Sequence, residues 1–258
     1  MGLRIQNNVE AFNAHRNLGA TAGKAAKAME KLSSGYRINR AADDAAGLAI
    51  SEKMRGQIGG LAQAQRNAQD AISLVQTGEG ALSTVSAMVQ RIRDLKVQYE
   101  TGTLSTSDKT ALDAEFTQLK TEVTSIRDNT EFNGIDLLSA TGAVSFQVGA
   151  NQGETITANT VDLNGASGMG TALGAATSLA GVSLNDVDAA VGNIAKLRSD
   201  FGAVQNRLEH RLNNLSVYQE NLVASESRIR DVDMAAEMVN FSKLQILQQA
   251  GTSMLAQA

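Results

Sequence analysis

Few residues in this chain are placed to do chemistry. His15 and His210 are the two histidines, far apart and each inside a helical apolar pattern, where they read as surface or polar seam residues rather than metal ligands. Asp43-Asp44 and Asp231-Val232-Asp233 are too local to act as paired carboxylates across a substrate. Gly165, Gly168 and Gly170 lack the spacing and the strand-to-helix setting of a phosphate-binding loop. Cysteine is absent, so thiol catalysis, thiolate metal sites and disulfides are excluded. No catalysis and no cofactor are expected. What remains is pairing chemistry. Arg37, Arg40, Asp43 and Asp44 crowd a break between helical patterns, and Arg228, Arg230, Asp231 and Asp233 crowd another. Facing one another, these clusters would fix axial register through Arg–Asp ion pairs.

Long helices must carry them. Val187, Ile194, Phe201, Leu208, Leu215, Leu222 and Ile229 recur every seven residues, and most positions three further on are also apolar. This is a heptad seam. A helix over 184–232 is about 73 Å long at about 1.5 Å per residue, so the sequence predicts a rod rather than a sphere. With no proline, nothing forces such a helix to kink or stop. Seven seam residues at roughly 1.5–3 kcal/mol each contribute on the order of 10–20 kcal/mol. Ordering the backbone costs roughly 1–2 kcal/mol per residue, so one narrow seam needs several partners, within the chain or from neighbouring copies.

The N-terminal half supplies partners. Ala68, Ile72, Val75, Leu82, Val85, Val89, Ile92 and Tyr99 follow threes and fours with a phase shift near Leu82, and Leu112, Phe116, Leu119, Val123 and Ile126 keep the same spacing. Ser105, Ser107 and Asp108 offer caps ahead of the second set, and Asn133-Gly134 a turn behind it. From Ser139 to Gly181 the chain is rich in small and polar residues, with alternation at Val144-Phe146-Val148 and around 156–163. One or two small hairpins are expected there, with little core of their own and hence on the surface.

The two ends share a character. Val9, Phe12, Met29 and Leu32 mark one thin, Ala-rich seam, and Met238, Phe241, Leu247 and Met254 another. Each is marginal alone. Pairing the ends buries both, which implies a chain that goes out and returns. In isolation they are expected to lack order.

Charge and hydropathy exclude other classes. The net charge of -4, with basic residues scattered, argues against nucleic acid. Met1–Phe12 has no apolar run of signal-peptide type, and no stretch reaches transmembrane length, so neither a cleaved signal nor a membrane anchor is expected.

Several runs carry a family resemblance. LSSGYRINRAADDAAGLAISEKMRGQI (32–58) is similar to the N-terminal signature of bacterial flagellins. QRNAQDAISLVQTGEGAL (65–82), VQRIRDLKVQ (89–98), TEFNGIDLL (130–138), GAVQNRLEH (202–210), ENLVASESRIRDVDMAAEM (220–238) and AGTSMLAQA (250–258) match as well. The resemblance covers most of the chain outside 141–181.

That resemblance implies a mainly α fold, an elongated helical bundle or coiled-coil rod with a small β-hairpin region. It implies a terminal domain of 1–56 with 227–258, paired helices lining a filament core, and a rod domain of 57–226 with the hairpin region at 139–181. The implied function is a non-catalytic subunit polymerising into the flagellar filament for motility, extracellular and exported without a cleaved signal. Implied partners are further copies of the chain, hook–filament junction and cap proteins, an export chaperone, and the host Toll-like receptor for flagellin, with no nucleic acid or membrane. Receptor contacts carry over to Arg91, Leu95 and Glu115.

Three features depart from the family pattern. Lys96 stands where the family usually has a small or apolar residue. Arg211 occupies a seam position, its stem expected along the seam and its charge in solvent. The family normally continues beyond the position of Ala258 into a short tail, whose loss is expected to weaken polymerisation and chaperone binding. A hook–filament junction role is the nearest competing expectation. An enzyme in the middle segment, described in some family members, is disfavoured because that segment lacks His and an acidic cluster.

Overall fold

The computed structural model describes residues 8–257. Met1–Asn7 of the N-terminal run and Ala258 of the final one lie outside them. Helices α1 (Val9–Ser34), α2 (Ala45–Tyr99) and α3 (Thr106–Asn129) come first. Strands β1 (Glu131–Phe132), β2 (Ile135–Asp136), β3 (Gly142–Gln147) and β4 (Thr155–Thr160) follow. A short α4 (Gly170–Ala175), a 3-10 turn at Leu179–Gly181, α5 (Leu184–Arg230) and α6 (Met234–Gln257) complete the order. The fold is mainly helical with two small antiparallel hairpins, β1–β2 and β3–β4.

Each helix starts and stops where local chemistry dictates. Asn8 caps α1 by accepting from the amides of Glu10 and Ala11, and Gly35 ends it in the left-handed region at φ 76°, which costs a glycine little. At 55 residues α2 is about 82 Å long, uninterrupted because no proline falls within it. Asn133 and Gly134 both take positive φ, 51° and 74°, as a two-residue hairpin turn between β1 and β2 requires.

Helices α3 and α5 open on the same device. Ser105 and Asp108 exchange side-chain and backbone hydrogen bonds, and Ser183 and Asp186 do likewise. In each pair the serine hydroxyl, then the serine amide, holds the aspartate carboxyl below its ordinary value of 3.8. A lowered carboxylate stabilises the fold above its unfolded value and ceases to as pH falls through the lower folded one. Acidification below 3.8 is therefore expected to fray both first turns. Amide exchange at Asp108 and Asp186 would report it, and protection unchanged once both carboxyls are protonated would refute it.

The chain forms two compact units, one from Gly59 to Tyr218 and one from the segments on either side, up to Ile58 and from Gln219. The division between these units falls within α5 at 218/219. Along α5 the seam residues Val187, Ile194, Phe201, Leu208 and Leu215 are buried, whereas Leu222 and Ile229 are half-buried.

In the 59–218 unit, α2, α3 and α5 contribute Leu82, Val85, Val89, Ile92, Leu95, Phe116, Val123, Val187 and Ile194 to one core. The small-residue stretch, expected on the surface, is part of that core. Val148, Ile156, Ala158, Val161, Leu163, Met169, Leu173 and Leu179 are all buried in it. β4 alternates strictly, with Ile156, Ala158 and Thr160 inward, so a six-residue strand turns one whole face to the core. Side chains on the helices then bolt this layer down. Asn67 donates to the Gln147 carbonyl at 2.9 Å. Arg211 does not send its charge into solvent: its Nε donates to the Val148 carbonyl at 2.9 Å and it pairs with Glu154 at 3.3 Å. Lys96 is buried, donating from Nζ to the Leu179 carbonyl at 3.0 Å, while Asp113 accepts from the Leu179 amide at 2.8 Å. The 3-10 turn is thereby held by α2 and α3 together.

Candidate assembly surface

The two charged breaks do lie side by side, within the unit that contains both chain ends. Tyr36 and Asp231 form an antiparallel bridge, with the Arg37 amide donating to the Arg230 carbonyl at 2.6 Å and the Val232 amide to the Gly35 carbonyl at 3.0 Å. The Arg37 guanidinium donates to the Ile229 carbonyl at 2.5 Å. Arg230 stacks 4.7 Å over the Tyr36 ring and pairs with Glu52 at 3.1 Å.

Register is therefore held by backbone and by arginine on carbonyls, a correction to the expected Arg–Asp pairs. Among the described residues none of those aspartates pairs with an arginine across the joint, because each is committed locally. Asp44 accepts from the Gly47 amide and Asp233 from the amides of Ala235 and Ala236, which starts α2 and α6. Asp43 accepts from the Arg40 and Asn39 amides, and the Arg40 amide foremost lowers its carboxyl below 3.8. Asp231 accepts from the Ser227 hydroxyl. Arg40 pairs with Glu30 at 2.9 Å, and Arg228 donates to Ser225.

Beyond the joint, α1 and α6 pack on each other along their lengths. Leu18 lies against Gly251, and Ala25 and Ala28 meet Leu244 and Phe241, so the two run antiparallel. The residues that α1 buries in this contact are the alanines Ala25 and Ala28, so the buried set is thin. Leu32 and Phe241 are half-buried at the pair. Val9, Phe12, Met29, Met238, Leu247 and Met254 stay exposed.

Two residues missed in the sequence stand out further, Val239 at 71% exposure and Ile246 at 66%. They lie on the side of α6 turned away from Leu244, with Ala250 beside them. The signal that finds them is the spread of apolar residues beyond one stripe: α6 carries them on more than the side that α1 covers, among polar residues such as Gln245, Gln248 and Gln249. A helix paired on a single side needs only one apolar stripe.

The other singled-out residues are placed as follows. Arg91 and Glu115 pair at 2.7 Å at the surface between α2 and α3. Leu95, one turn on from Arg91, is fully buried in the core and presents nothing to a partner in this conformation. His15 and His210 are exposed on α1 and α5. Among the described residues no helix is long and apolar enough to cross a membrane.

Comparison with known proteins agrees with these features. The bacterial flagellin N-terminal helical region matches residues 5–143 and the flagellin C-terminal helical region residues 184–258. A flagellin of Halalkalibacterium halodurans is 52% identical over 98% of this chain and 95% of its own length. A flagellar filament 33 kDa core protein of Treponema phagedenis is 44% identical over 98% of this chain and 95% of its own. The crystal structure of Bacillus cereus flagellin, 36% identical, superposes with a TM-score of 0.52 over 58% of this chain and 88% of that one. With both family regions matched and near-complete coverage of its relatives, this chain belongs to the bacterial flagellin family.

Proposed function

We propose that the chain is a structural subunit that polymerises through its paired terminal helices into the bacterial flagellar filament, for motility and without catalysis. The observation that carries this reading is α6, whose exposed Val239, Ile246, Leu247 and Met254 extend its apolar surface beyond the side that α1 covers. Copies of the same unit supply the missing cover, since α1 and α6 of a neighbour present the same mix of small and apolar residues. A contact that does not close on itself generates an open helical assembly. The filament places the chain outside the cell, reached by export without a cleaved signal.

The test replaces residues that the isolated subunit does not need. Val239→Asp with Ile246→Asp leaves both carboxylates in water in the monomer, so helicity should be unchanged. Burial of each unpaired carboxylate at an apolar contact costs several kcal/mol, so elongation from filament seeds should fall by at least about a hundredfold. Elongation at the parent rate by electron microscopy would sink the proposal. Capped rings in place of long filaments would favour the hook–filament junction role.

Junction and cap proteins at the filament ends, an export chaperone and the host Toll-like receptor follow as partners from family membership. For the receptor, the exposed Arg91–Glu115 pair offers the contact, and Leu95 supports it from beneath rather than by touch.

A further inference from the structure

Among the described residues, the methionines are sorted by helix. Met29, Met234, Met238 and Met254 are 48–66% exposed, and all four lie on α1 or α6. In the 59–218 unit Met169 is 2% exposed and Met88 is half-buried against the core. Met54, on α2, is also half-buried. The exposed thioethers therefore sit on the helices whose apolar sides lack cover, beside Val239, Ile246 and Leu247. Exposure and an unshielded sulfur govern thioether oxidation.

We propose that Met29, Met234, Met238 and Met254 form a redox-sensitive modification site of the unassembled subunit, open to peroxides, and that their oxidation blocks incorporation into the polymer. This rests on the assembly reading above. The methionine sulfur attacks the peroxide, the O–O bond breaks, and sulfur keeps one oxygen as the sulfoxide while the other leaves as water. Sulfur loses two electrons and the peroxide gains them, so hydrogen peroxide alone balances the step. The product replaces a flexible apolar side chain by a polar, chiral one, which an apolar contact cannot take up without leaving the S–O group unpaired. Once polymerised, covered sulfurs are shielded, so the finished filament resists the oxidant that disables its free subunit.

The experiment treats the purified full chain with hydrogen peroxide, maps sulfoxides by peptide mass spectrometry and measures elongation from untreated filament fragments. All four methionines should convert well before Met169, and elongation should fall at least tenfold. Methionine sulfoxide reductases of both epimer classes should then restore it. The M29L/M234L/M238L/M254L variant should elongate equally with and without peroxide. Conversion of Met169 at the rate of the four, full elongation by the oxidised chain, no rescue on reduction, or inhibition of the leucine variant by peroxide would each overturn the inference. Failure of the untreated parent chain to elongate would instead overturn the assembly reading, and this inference with it.

Discussion

Phe116→Ala is expected to destabilise the 59–218 unit by about 3–5 kcal/mol, the cost of removing a buried aromatic side chain and leaving a cavity. Phe116 is fully buried on α3, in a core whose other buried members among the described residues are, apart from Phe201 on α5, Leu, Val, Ile, Met and Ala. On either side the backbone is tied down, with Asp113 and Lys120 bonded to the segment around Leu179, so collapse of α3 onto the cavity is resisted. Thermal unfolding should move down by about 6–20 °C for a unit of this size. A loss under 1 kcal/mol in denaturant titrations would show that the bundle repacks freely and that the core is not the jigsaw described.

Gly168→Ala is expected to cost nearly as much by a different route. A Cβ at this position would stand 2.2 Å from the Leu163 carbonyl oxygen and 2.6 Å from the Leu163 Cα. Those are backbone atoms, so no rotamer change relieves the overlap. The loop must open, which breaks the 2.7 Å bond from the Met169 amide to the Leu163 carbonyl. Met169 and Leu163, both buried, would be drawn from the core with it. Overpacking typically costs about 1–3 kcal/mol, and loss of a buried hydrogen bond adds about 1 kcal/mol more. The check is hydrogen exchange: protection should fall at Leu163 and Met169 and persist along α2 and α5. Parent-like exchange at both amides would contradict the tight closure of this loop.

The pattern of what sequence reading reaches follows from range. Heptad spacing is local information, and it predicted a helix over 184–232 where α5 runs Leu184–Arg230, two residues shorter. Ser105-Asp108 and Asn133-Gly134 are likewise settled within four residues, so cap and turn are readable. The middle segment misleads because its apolar residues are sparse per residue yet all face one way. Ile156, Ala158, Val161 and Leu163 become core only because α2 and α5 already present a surface to receive them. Arg211 and Lys96 mislead for the same reason: their acceptors are backbone carbonyls at Val148 and Leu179, distant in sequence and without any side-chain signature.

The joint between the chain ends makes the same point in finer detail. Charge density alone suggests Arg37 and Arg40 against Asp231 and Asp233, since opposite charges attract at any distance. Helix initiation wins instead, because an aspartate one residue ahead of a helix finds two or three unpaired amides at once, in fixed geometry. Asp44 and Asp233 take that option, and the arginines turn to carbonyls, a ring and glutamates.

Sequence by itself determined the helices, their caps, the family, and the need of both ends for cover, because all of these rest on periodicity and on neighbours a few residues away. Tertiary structure alone decided which apolar residues of α6 remain open. Apolar residues spread around α6 do not single out one face, so only the position of α1 along Leu244 leaves Val239 and Ile246 facing outward.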